Sequence, residues 1–518
     1  MFATVTSHAP LGIEGKLISV EVDIRNGIPG IDIVGLPDGA VKESKERVRV
    51  AIRNSGFEFP AKRILVNLAP AGIRKEGASY DLPIAIGILS ASFQIPREEV
   101  KKTMVLGELN LSGKVQPVHG VLSAVSAGLR KGITTFLVPQ QNLYEARVLQ
   151  SGIIVGITSL REAAGILTKA DSMTDAEREE VSDADQEEGL YSAADYGDLS
   201  DIKGHWILKR ALEVAAAGRH HLFLFGPPGS GKTLGARRLP TILPCLSREE
   251  SLIVTGIHSL SGKLPAHCGL ISRPPFRMPH HSASTEGIIG GGKIPKPGEV
   301  SLAHEGILFL DEAPEFRKNL LQALREPIEE ERITIARAGC SYWFPASFQL
   351  VLAANPCPCG NLGRKEKVCL CSTQEVYRYW KKLGGALLDR IDIRVPLSPV
   401  SSKEIVGKKG TTSEEVKKRV ESAICIQRER YRGYGFSRNS RIPPGLLDRF
   451  CQLDKTCAGL LVDTMKKISI SSRAVHSILK IARTTADLDG SQKIREEHLL
   501  EAIQHRRYGD TDFFWKFS

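Results

Sequence analysis

Glycine, proline, lysine and threonine alternate in Gly226-Pro227-Pro228-Gly229-Ser230-Gly231-Lys232-Thr233 at the spacing that wraps a polyphosphate. Glycines let successive backbone N–H groups turn inward on phosphate oxygens, Lys232 reaches the β/γ oxygens, and the Thr233 hydroxyl can ligate Mg²⁺. About eighty residues on, Ile307-Leu308-Phe309-Leu310 runs into Asp311 and Glu312. Asp311 suits Mg²⁺, and Glu312, just past the apolar run, suits a base that orients water at the γ-phosphate. Asn355 ends a third apolar run, Phe348 to Ala354, and offers a neutral polar group to the γ-phosphate or the water. Arg390 stands in Leu387-Leu388-Asp389-Arg390-Ile391-Asp392. There it can stabilise transition-state charge on a neighbouring subunit's nucleotide, or pair within the chain with Asp389 or Asp392. Together these types predict ATP hydrolysis with Mg²⁺, and a site completed by a second copy if Arg390 serves a neighbour.

Such residues work only at the ends of strands in a doubly wound sheet. Leu222 to Phe225 reads as the buried parallel strand before the loop, a helix begins near Gly231 and adds its dipole, and Ile391 to Leu397 reads as a further strand. Upstream, strand-like runs (Ile31 to Val34, Ile64 to Leu68, Thr135 to Val138) mix with helical stretches at 39–54, 81–92 and 120–131, an α+β pattern. Downstream, 403–507 is helical in pattern. The expected architecture is an α/β multidomain chain: an α+β domain over 1–168, an acidic linker over 169–200, a P-loop α/β core over 201–400 and a helical lid over 401–518.

Of 518 residues, 42% are hydrophobic and the formal net charge is +11. Residues 171–201 hold twelve acidic residues and one arginine, so the rest is more basic than the net figure. That balance suits a polyanion, nucleic acid first, although an ordinary basic surface has the same composition. No apolar run reaches a membrane span and Met1 to Thr6 lacks signal-peptide character, so a cytoplasmic protein is expected. The ten cysteines are then thiols or metal ligands rather than disulfides.

Cys357-Pro358-Cys359 and Cys369-Leu370-Cys371 form two C-x-C pairs nine residues apart, with Arg364, Lys365 and Lys367 between them. Four thiolates can hold structural Zn²⁺ and present the basic residues to phosphate; free thiols and redox chemistry are the alternatives. His280 and His281 are either further ligands or a packed pair near substrate.

Gly107 to Val118, the helix after it and the strand ending Val138-Pro139 resemble the proteolytic domain of Lon proteases. Gly77-Ala78-Ser79 stands where that family has its serine, but Leu122 occupies the lysine position, leaving Ser79 without a general base. The resemblance therefore implies a Lon-like domain without protease activity. Lys209 to Gly218, Met278 to Ser282, Pro297 to His304 and Leu310 to Glu312 closely resemble the YifB/ComM family of magnesium-chelatase-like AAA+ proteins. That resemblance implies a hexameric ATP-driven DNA motor, of the kind that branch-migrates junctions in recombination or natural transformation, acting on single-stranded or branched DNA. A chelatase-like motor remodelling a protein or inserting a metal is the alternative. It places Asn355 at the sensor position and Arg473 as a second-sensor arginine acting from the lid. It also sends the hairpin Arg332 to Pro345 into a central channel, where Arg337 meets phosphate and Tyr342 and Trp343 stack on bases or pack the hairpin.

Overall fold

The computed structural model describes residues 1–168, 191, 196–265, 268–292, 295–337, 340–364, 367–399, 410–468 and 471–507. Most of the expected acidic linker and Lys365 lie outside the described residues, as does the side chain of Arg337.

The chain is a mixed α/β protein with helices at its C-terminal end. In the N-terminal part, Lys16–Arg25 buries Ile18, Val20, Val22 and Ile24 and leaves the alternate residues more open, the period-two signature of a strand. It pairs antiparallel with Phe2–Ala9 and Arg63–Ala69. The full sheet runs in the order Gly30–Val34, Arg63–Ala69, Lys16–Arg25, Phe2–Ala9, Thr103–Val105, Thr135–Pro139, Ile153–Ile157. Helix Asp81–Ala91 is apolar on all sides and buried along its whole length. Its one charged group, Asp81, accepts 2.8 Å from Arg47 Nε, which offsets the cost of burying a carboxylate.

The P-loop unit holds a parallel sheet ordered Phe276–Arg277, Ile307–Leu310, Gln349–Ala354, Leu222–Phe225, Ile393–Pro396. Leu222–Phe225 and Ile307–Leu310 are unbroken apolar runs because both faces of the sheet are covered there. Leu222, Leu224, Ile307 and Phe309 face one core, and Phe223, Phe225, Leu308 and Leu310 face the other. Truncating one of these phenylalanines to alanine costs about 3–5 kcal/mol.

The helices around the sheet begin where side chains can satisfy free N–H groups. Ser247 and Glu250 make a capping box for Arg248–Ser261, which ends at left-handed Gly262; Thr412 and Glu415 do the same for Ser413–Arg430. Ser471 caps Ser472–Leu488 through the Ala474 N–H, and Glu496–Arg506 packs against that helix. These C-terminal helices rest on Trp206–Gly218, the helix leading into the P-loop strand.

The two parts meet at a defined joint. The Gly120 N–H donates to Ser259 Oγ at 3.0 Å, and the Ser259 hydroxyl also hydrogen-bonds the buried carboxylate of Glu145, which accepts from the Leu122 N–H at 2.8 Å. The position where a Lon protease carries its lysine is thus the start of a helix buried against Arg248–Ser261, and Leu122 is only 4% exposed. Burial raises the Glu145 pKa, against the hydrogen bonds from Ser259 and Leu122.

Candidate active site

The C-terminal ends of the parallel strands gather five of the expected residues: Lys232, Thr233, Asp311, Glu312 and Asn355. Leu222–Phe225 delivers the chain into Gly226, where a side chain would collide with the Leu397 carbonyl: an ideal Cβ would lie 2.1 Å from that oxygen. Lys232 opens the helix Lys232–Arg238, and its ammonium is held by the Gly226 carbonyl at 2.6 Å, the Pro227 carbonyl at 3.0 Å and Asn355 Oδ1 at 3.1 Å. Burial pushes its pKa down to about 8 against the pull of Asp311 and Glu312. The Thr233 hydroxyl donates to Asp311 Oδ2 at 2.7 Å, so the two Mg²⁺ candidates already touch. Asp311 Oδ1 accepts from the Glu312 N–H at 2.9 Å.

Glu312 sits at φ 50°, in the left-handed region that a non-glycine residue enters at a cost of about 1–3 kcal/mol. Its carboxylate is half exposed and lies 4.0 Å from His281 Nδ1. His281 stacks on His280, which bonds Ser282. The histidine pair therefore lies beside the candidate base, and the only clustered metal-ligand group among the described residues contains the four cysteines without it. These strand ends could hold ATP and Mg²⁺: Thr233 and Asp311 for the ion, Lys232 and the loop amides for the phosphates, Glu312 for the water.

Arg390 and Arg473 are not brought to this edge. Arg390 Nη2 lies 2.7 Å from Glu329 Oε1, and Arg473 reaches the same oxygen at 3.0 and 3.1 Å. Arg390 is thus paired within the chain, but with Glu329 rather than Asp389 or Asp392. Asp389 meets Arg506, and Asp392 meets His220 and Ser477. Both arginines line a cleft of about 1060 Å³ shared with His221, Ser347 and Asp392. Those three precede the strands Leu222–Phe225, Gln349–Ala354 and Ile393–Pro396, so the cleft is at the N-terminal ends of the parallel sheet. A four-residue strand spans about 13 Å. The helix Ser472–Leu488 that carries Arg473 is anchored at the opposite strand ends, through Ser477 to Asp392 at 2.7 Å and Thr484 to His220 at 2.8 Å.

Glu329 was not legible as a functional residue. It sits in the acidic run Glu329-Glu330-Glu331, and only the fold brings it to arginines far along the chain. The expected hairpin is present, Arg332–Arg337 pairing with Cys340–Pro345 in antiparallel register. Phe344 and Ile333 are buried in the core behind it, while Trp343 is 43% exposed. Arg364 donates to the Pro228 carbonyl of the P-loop, so it touches the nucleotide-binding loop. Lys367 is exposed.

Three protein-family models match: "Subunit ChlI of Mg-chelatase" over residues 20–142, "Magnesium chelatase, subunit ChlI" over 198–405 and "Magnesium chelatase, subunit ChlI C-terminal" over 410–506. Competence protein ComM of Haemophilus influenzae is 41% identical over 511 residues, covering 97% of each chain. Uncharacterized protein YifB of Escherichia coli K12 is 41% identical, covering 97% of this chain and 96% of that one. A Lon protease of Geobacter metallireducens is 30% identical over 162 residues, covering 30% of this chain and 19% of its own.

Proposed function

The chain belongs to the ComM/YifB family of magnesium-chelatase-like AAA+ proteins, and from that premise we propose an ATP-driven DNA motor that works as a hexameric ring. The observation that carries the proposal is the division of the catalytic set between opposite ends of one sheet. Lys232, Thr233, Asp311, Glu312 and Asn355 gather at the C-terminal strand ends, whereas Arg390 and Arg473 share Glu329 at the N-terminal ends. One chain cannot apply both halves to one nucleotide, but a ring of head-to-tail contacts can.

In this mechanism the P-loop amides and Lys232 hold the β- and γ-phosphates, after Lys232 exchanges its loop carbonyls for phosphate oxygens. Thr233 and Asp311 would hold Mg²⁺, which would supply charge neutralisation at those phosphates. Glu312 accepts a proton from the attacking water, which Asn355 orients. The neighbour's Arg390 and Arg473 stabilise the charge that develops on the transferred phosphoryl group. In this reading the hairpin Arg332–Pro345 contacts DNA in the channel. The net charge of +11 and the competence designation of a full-length relative support DNA as the polymer, with junction migration in recombination or transformation as the task.

The test is ATP hydrolysis by the purified full chain, with and without single-stranded, forked and four-way DNA, using Glu312→Gln as the control. Stimulation by DNA, lost in the control, is the expected result. Hydrolysis indifferent to every DNA would overturn the DNA reading and favour the chelatase-like alternative, in which the motor remodels a protein or inserts a metal.

A further inference from the structure

The four cysteines converge where the sequence leaves the sensor strand. Cys357 lies two residues past Asn355, and Cys371 immediately precedes Ser372, the cap of helix Thr373–Lys381. Their sulfurs all lie within 4.8 Å of one another, with Cys357–Cys359 at 3.4 Å and both Cys357–Cys369 and Cys359–Cys369 at 3.6 Å. A disulfide would bring two sulfurs to about 2.05 Å. Four thiolates at about 2.3 Å from one Zn²⁺ would stand about 3.8 Å apart. The observed spacings fit the second geometry. The Leu362 N–H points at Cys357 Sγ from 3.4 Å, a backbone donor that supports a thiolate.

The same turn presses on the nucleotide loop. Gly360 has φ 74°, and an ideal Cβ there would lie 2.8 Å from Pro228 Cγ. Arg364, from the segment between the cysteine pairs, donates to the Pro228 carbonyl. On the other side, Trp380 Nε1 holds the Pro356 carbonyl at 3.0 Å. The cysteine turn is therefore wedged between the sensor strand, a capped helix and the P-loop.

We propose that Cys357, Cys359, Cys369 and Cys371 bind one Zn²⁺ as a tetrathiolate, and that this knuckle braces Pro228 so that the P-loop is shaped for nucleotide before it arrives. Binding replaces four S–H bonds by four Zn–S bonds and releases four protons, leaving a dianionic centre flanked by the cations Arg364 and Lys367. The metal acts at a distance from the phosphates, through the close approach of Gly360 to Pro228 and the hydrogen bond of Arg364.

Metal content of the full chain, purified without chelator, tests the site; cobalt reconstitution of the metal-stripped protein reports the ligand set. One zinc per chain and the absorption spectrum of tetrahedral cobalt thiolate are expected, both lost in Cys359→Ser/Cys371→Ser, which spares the buried Cys357. Binding of a fluorescent ATP analogue tests the brace, and should weaken roughly tenfold in metal-stripped protein and in that variant. Gly360→Ala keeps all four ligands, so it should retain zinc yet bind the analogue more weakly. Far-ultraviolet circular dichroism identifies variants that have failed to fold. Substoichiometric metal with no tetrahedral cobalt spectrum would overturn the site. Full metal occupancy with analogue binding unchanged by stripping and by Gly360→Ala would overturn the brace. Neither readout involves DNA, so the motor reading and this one fail separately.

Discussion

Glu312 and Glu329 are two carboxylates placed very differently for the proposed reaction. Glu312 stands half exposed at a strand end, free to meet water, and Glu312→Gln should lower single-turnover hydrolysis by at least about a hundredfold while ATP binding persists. Unchanged hydrolysis in that variant would remove Glu312 from the chemistry. Glu329 instead holds two arginines, one of them, Arg390, with a side chain only 9% exposed. Glu329→Gln should reduce kcat less than Arg390→Ala does and leave ATP affinity unaltered; a changed affinity with normal kcat would contradict a positioning role. The first residue was legible because its apolar strand, Asp311 and Glu312 are contiguous. The second was not, since its contact with Arg473 spans 144 positions and arises only from packing.

The strands Leu222–Phe225 and Ile307–Leu310 were legible as unbroken apolar runs, whereas the alternating strands Phe2–Ala9 and Lys16–Arg25 were not singled out. The placement of helices was less legible. Helical periodicity marks which face of Ser472–Leu488 is buried but not which end of the sheet receives it; the pairs Ser477–Asp392 and Thr484–His220 decide that. The final helix, Glu496–Arg506, is fastened by Glu501, which takes Arg210 Nε at 2.8 Å. Burial pushes the Glu501 carboxyl up, but His505 and Arg210 outweigh it and hold the pKa down to about 2, from an ordinary 4.5. A folded pKa below the unfolded one contributes stability that is complete above the unfolded value and disappears as pH falls toward the folded one. Amide protection factors in this helix, taken relative to the intrinsic exchange rate at each pH, should therefore fall between pH 4.5 and about 2 in the native chain, and the fall should be smaller in Glu501→Gln. Equal pH dependence in both would exclude this ion pair as the cause.

For the whole molecule, opposite placement of the phosphate loop and the arginines makes mixing the decisive experiment. Lys232→Ala lacks the means to hold ATP, and Arg390→Ala should lose about 10³-fold or more in turnover. Combined in equal amounts, the two inactive chains should recover up to about a quarter of the native rate, because one neighbour pair in four unites an intact loop with an intact arginine. No recovery in demonstrably mixed rings would contradict a shared site. Besides the hydrogen bond that Arg248 donates to the Val148 carbonyl at 2.9 Å, two more contacts join the N-terminal domain to this machinery. One is the joint of Gly120, Glu145 and Ser259; the other is the hairpin, where an ideal Cβ on Gly12 would lie 3.0 Å from the Trp343 carbonyl. A body pinned once can swivel about its pin, whereas a body pinned twice turns only if one contact slips. If the proposed motor moves the hairpin, the stroke would work against an abutment within its own chain, and recoil would pass into the N-terminal domain.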